Sequence, residues 1–200
     1  MRTRIGKIAA LALITVPGMI AWTQMHAPLR LQTASKLSVS GTSTVRSFEC
    51  QAKSFGATVD AVLPDAVAAV LSGERGVGAV ELKVPVEQLD CRNGTMNEHM
   101  LKAIKASEFK DIVFTVSSYD LAKATDGARV TLHGCLTLGG VQKDIQIEAD
   151  VKSAPDGALL VSGKYALKMT DYNLKPPKLM LGAMKVNELV SVNFDLLLKP

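Results

Sequence analysis

Glu98 and His99 are adjacent in the stretch NGTMNEHMLKAIKASEFKDIVF, which runs from Asn93 to Phe114 of this 200-residue chain. A histidine beside a carboxylate suits general acid–base work or metal binding. Neighbours on a helix, however, point about 100° apart, and helical metal pairs sit one turn apart. Beyond His99, the chain after its first 27 residues holds only His133, and no HExxH or CxxC spacing occurs. A site built from His99, His133 and cysteines would lack the paired ligand spacing that announces most zinc centres. The serines have no G-x-S-x-G elbow around them. Asp111, Asp144 and Asp171 read as scattered solvent-facing carboxylates rather than an acid–base pair. A metal-dependent hydrolase is therefore the least favoured function, with no catalytic residue, metal or cofactor expected.

The three cysteines carry a different chemistry. Cys50 and Cys91 stand at the ends of two predicted strands, and Cys135 lies within a third. An oxidising compartment permits one pair. The favoured pair is Cys50 with Cys91, leaving Cys135 as a free, buried thiol.

The elements that position these residues follow from periodicity. Met96, Met100, Leu101, Ile104 and Phe109 recur at three- and four-residue steps, which predicts an amphipathic helix near residues 97–109, capped by Asn97 or Thr95. Strict alternation in Val80–Val86, Ile145–Val151 and Val190–Leu198 predicts strands with one apolar face. Asp126-Gly127, Gly139-Gly140 and Asp156-Gly157 supply hairpin turns. About eight antiparallel strands result, enough to close an all-β, up-and-down barrel. Pro64 to Ser72 is expected to cross one end of it as a helical turn or loop. Asn173 to Met184 carries Pro176 and Pro177, which exclude it from an interior strand. Its Leu and Met residues nevertheless need an apolar contact, so Leu174 to Met184 is expected over a barrel opening.

At the N-terminus, Arg2, Arg4 and Lys7 precede an apolar run too short for a membrane span of about 20 residues. Residues 1–27 read as a signal peptide or an uncleaved anchor, 28–35 as a tether, and 36–200 as one domain. Removing those three basic residues from 23 leaves 20 against 19 acidic ones. A net charge this small gives no basis for nucleic-acid binding. The expected location is periplasmic or secreted, with room for contact at a membrane surface and nothing to fix an oligomeric state.

The order SVSGTSTVRSF (Ser38–Phe48), VELKVPVEQLDC (Val80–Cys91), NEHMLKAIKASEFKDIVFTV (Asn97–Val116) and VTLHGCLTLGGVQKDIQIEADV (Val130–Val151) resembles the YceI-like family. Its most specific parts are Glu98-His99-Met100 leading to Phe109 and Ile112-Val113-Phe114, and the segment Gly134 to Lys143. Gly41 to Arg46 stands where the family's first strand usually carries Trp and His. The resemblance implies a lipocalin-like barrel that holds a polyisoprenoid, an isoprenoid quinone or another amphiphilic lipid, without enzymatic turnover. The lining expected from it comprises Met100, Leu101, Ile104, Phe109, Phe114 and Leu132, with Tyr165, Leu179, Met180, Met184 and Phe194 beyond them. The alternative is an interaction barrel filled by its own side chains.

Overall fold

A computed structural model describes residues 27–179 and 184–200. The segment read as a signal or anchor and Met180 lie outside the described residues. The chain forms β1 (Leu29–Leu31), β2 (Lys36–Thr42), β3 (Ser47–Ala52), β4 (Gly56–Ala61), α1 (Ala66–Ser72), β5 (Val77–Pro85) and β6 (Leu89–Asp90). It continues through α2 (Gly94–Ala103), β7 (Asp111–Ala124), β8 (Gly127–Leu138), β9 (Val141–Ala154) and β10 (Ala158–Lys168). A small hairpin, β11 (Lys178–Leu179) and β12 (Met184–Lys185), precedes β13 (Leu189–Lys199).

Three pairs of these segments are single strands broken by short irregularities. β1 and β2 both run antiparallel to β13, with Arg30 opposite Lys199 and Ser40 opposite Ser191. β3 pairs with β2 and β4 with β1, while β5 and β6 run along β4 and β3. Joined in this way, the chain makes eight antiparallel strands, each beside its sequence neighbour, and β13 closes on the first. Closure leaves no long open edge, which is the physical advantage of a barrel over an open sheet.

The segment expected to be a tether is therefore partly a strand. Leu29 is buried at 3% exposure, and β1 bonds to both β4 and β13. A three-residue strand shows too little alternation to be read locally.

The long hairpins are set by their turns. Gly139 and Gly140 both take positive φ between β8 and β9, and Asp156 with Gly157 does so between β9 and β10. This backbone matches the twist of the flanking strands and is strained for most side chains.

One end of the barrel is stoppered by α1. Asp65 caps that helix by accepting a hydrogen bond from the Ala68 N–H at 3.0 Å. Its Ala66, Ala69 and Val70 are buried against the ends of β7, β8 and β9. Small residues let the helix lie close to the strand ends. The following loop is fastened by Tyr119, whose hydroxyl donates to the Val77 carbonyl at 2.6 Å, while Arg75 lies over its ring.

Candidate ligand-binding cavity

Inward-facing side chains change character partway along β8, β9 and β13. On β8, Ala128 and Val130 are buried, but Leu132 is only half-buried. On β9, Ala149 and Val151 are buried, whereas Ile145 and Ile147 are not fully covered. On β13, Leu198 is buried while Val192, Phe194 and Leu196 are half-buried. These half-buried residues, together with buried ones such as Phe114, Leu136, Leu138 and Val190, line a cavity of about 570 Å³ on the side away from α1. Its wall is almost wholly hydrocarbon, and the volume lies within the common range of small-molecule sites, about 300–1,000 Å³. A side-chain-filled core does not describe this half of the barrel.

Glycine–phenylalanine pairs help to keep the space open. Phe194 stands opposite Gly163, and Phe48 opposite Gly41. A Cβ placed on Gly163 would meet Phe194 Cζ at 2.4 Å, and one on Gly41 would meet Phe48 Cζ at 2.6 Å. Phe114 covers Gly134 in the same manner across β7 and β8. These rings occupy room that a side chain at each glycine would otherwise fill.

The cavity mouth is spanned by α2 and by the chain after β10. Asn93, not Asn97 or Thr95, caps α2, accepting from the Met96 N–H at 3.0 Å. Thus Asn93-Gly94-Thr95 is a helix start, and the helix begins earlier than its apolar spacing suggested. Asn97 instead accepts from the Cys91 N–H at 2.8 Å and donates to Asp90 at 2.8 Å. The Asn97 amide, the Lys53 ammonium at 2.9 Å and the Arg92 N–H together hold the Asp90 carboxyl down at about 2. Asp90 thereby ties the start of α2 to the sheet. Cys50 and Cys91 form the expected disulfide beside it.

Of the lining read from sequence, Met100, Ile104, Phe114, Leu132, Tyr165, Met184 and Phe194 border the cavity. Leu101 packs on the core without bordering it. Phe109 lies over Gly140 at the β8–β9 turn, away from the space. The helical spacing stops at Ile104, because Lys105 takes a left-handed conformation and redirects the chain. Met180 and the side chain of Leu179 lie outside the described residues. Sequence reasoning missed Met96, Leu37, Val39 and Leu174, which also face the space. For Leu37 and Val39 the signal was inward alternation along β2; Met96 lay on the apolar face of the helix, and Leu174 in the segment expected over the opening.

Leu174, Pro177 and Met184 do border the opening, as expected of that segment. The segment is nonetheless paired: Lys178 faces Lys185 in the small hairpin, and Val186 bridges to Ser43. Pairing begins just after Pro177, where the backbone again has N–H groups to offer. Tyr172 beside it is 2% exposed, and burial pushes its phenol up to about 12.

The chemistry-bearing residues stay apart. His99 borders the cavity, while His133 lies on the outer face within 3.1 Å of Asp120. Cys135 is free but half-buried rather than buried. Among the described residues, no three or more His, Cys, Asp or Glu side chains gather as metal ligands. No described helix is long and apolar enough to cross a membrane.

Eight meandering strands around an apolar hollow define a lipocalin-like barrel. The YceI-like domain model matches residues 28–198, and the chain belongs to that family. Burkholderia cenocepacia BcnA is similar in fold at 18% identity and a TM-score of 0.64, covering 84% of this chain and 98% of its own. A polyisoprenoid-binding domain from Saccharophagus degradans implicated in plant cell wall breakdown gives 13% identity and 0.61, covering 88% and 99%. The Campylobacter jejuni YCEI protein gives 16% and 0.55, covering 98% and 99%. No curated protein is matched by sequence.

Proposed function

We propose that this protein holds the tail of a polyisoprenoid, an isoprenoid quinone or a similar lipid inside the barrel. It acts after export to the periplasm or beyond, directed by residues 1–27 as a cleaved signal or a retained anchor. The carrying observation is the apolar cavity of about 570 Å³, reached at one end of an otherwise stoppered barrel. Shielding a lipid tail from water is worth about 0.8 kcal/mol per CH₂, so a hydrocarbon-walled hollow has a strong preference for such a tail. The polyisoprenoid-binding domain similar in fold supports the same ligand class. The disulfide supports an oxidising location. Binding, rather than turnover, is the proposed role.

Native mass spectrometry and solvent extraction of protein purified from a periplasmic fraction test this reading. A co-purifying isoprenoid or other long-chain lipid is the expected result. Protein that carries none, and that takes up neither a prenyl alcohol nor a quinone, would overturn it.

A further inference from the structure

The cavity wall is not uniformly apolar. Ser43, Arg46, Asn93, Thr95 and His99 supply most of its polar side chains, and all come from two segments, the β2–β3 turn and the start of α2. β6 brings these segments together by pairing with β3, Gln51 opposite Asp90, and the Cys50–Cys91 disulfide locks them. Polar atoms are thus gathered at one side of the mouth.

Two of the five are already engaged. Ser43 Oγ donates to the Arg46 carbonyl at 2.9 Å, and Asn93 caps α2. The Arg46 guanidinium and the His99 ring, in contrast, have no hydrogen-bond or ion-pair partner among the described residues. Glu49 and Glu98 do not border the cavity, and among the described residues no other carboxylate does. Among the described residues, Arg46 is the one side chain of the lining with a permanent charge. A fixed cation at the mouth of a hydrocarbon hollow favours a ligand whose head is an anion, because guanidinium groups bind carboxylate and phosphate oxygens through paired N–H donors.

We infer that Arg46, with His99 as a second polar contact, makes the mouth select amphiphiles with a compact anionic head, a phosphate monoester or a carboxylate. This rests on the lipid-tail reading above and adds the head-group class to it. Arg46 acts here as a specificity-determining residue, and its exposure leaves the fold independent of it.

The test uses three probes with one tail: geranylgeranyl phosphate, geranylgeranoic acid and geranylgeraniol, competed against one another in native mass spectrometry. The anionic probes are expected to bind about tenfold more tightly than the alcohol, the size of one charge-assisted contact at a wet rim. Arg46→Gln is expected to bring the anionic probes down to the level of the alcohol, abolishing that preference. A preference for only one anion supports the inference and names the head. Equal binding of all three probes, or a preference that survives Arg46→Gln, overturns it while the tail reading stands. Failure of all three to bind overturns both.

Discussion

The two ends of the barrel are built by the same strands, with the same inward alternation, and reach opposite outcomes. Near α1, Leu29, Val59, Val151, Leu159 and Leu198 are each 6% exposed or less, and small helix residues pack down onto them. Near α2, side chains of equal size leave a hollow. Hydrophobic alternation therefore fixes which way a side chain points, not whether the space it enters is filled. Filling depends on what crosses the end: Ala66 and Ala69 let α1 approach, while α2 is held at the rim by Asn97, Asp90 and the disulfide.

The contrast between the two ends can be put to the test by substitution. Replacing Cys50 and Cys91 by serine removes a crosslink spanning 41 residues, worth about 3–4 kcal/mol in the chain-entropy account. Hydrogen exchange should then rise through α2 while α1 and the strand ends beneath it stay protected. Equal loss of protection at both ends would show that they open as one unit.

Leu159→Ala at the stoppered end should cost about 3 kcal/mol in chemical denaturation, because a cavity opens in packed surroundings. Leu132→Ala, whose side chain already meets open space, should cost only about 1 kcal/mol. Equal costs would mean that the upper half is as densely packed as the lower.

Gly41→Ala tests how the hollow is kept open. Its Cβ would stand 2.6 Å from Phe48 Cζ and 3.2 Å from Val190 Cγ1, so the ring must swing aside. A stability change of about 1 kcal/mol is expected, with clearly reduced uptake of a prenyl alcohol. Undiminished uptake would separate the glycine–phenylalanine pairs from cavity volume.

The smallest effect belongs to acid. Asp90 is held at about 2 in the folded protein against an ordinary 3.8, so the unfolded chain binds this proton more readily. Its contribution is complete above 3.8 and disappears as pH falls toward about 2. Asp90→Asn should flatten that part of the acid-unfolding curve and speed exchange at the start of α2. An unchanged slope would remove Asp90 from the rim's support.

Much of the architecture was legible because it is local. Alternation in Val80–Val86 and Val190–Leu198 marks strands, and Gly139-Gly140 marks a hairpin, using residues within a few positions of one another. The features missed depend on distant partners. Leu29–Leu31 is a strand because β4 and β13 flank it, and Phe109 is diverted because Lys105 turns left-handed without any residue-type signal. Nothing near Gly41 or Gly163 in sequence marks them as the places where Phe48 and Phe194 fold over the backbone. Arg46 and His99 lie far apart in sequence, and only β3–β6 pairing brings their segments to one rim.

The seam between the first and last strands also sets a timetable. The Gln32 N–H donates to the Leu197 carbonyl at 2.8 Å, so the ring of backbone bonds cannot be completed until β13 is available. Closing so long a loop precedes the reward of pairing, and barrels dominated by such contacts fold in milliseconds to seconds rather than microseconds. A chain delivered N-terminus first would keep its opening strand waiting for its last one, remaining threadable until delivery is almost finished.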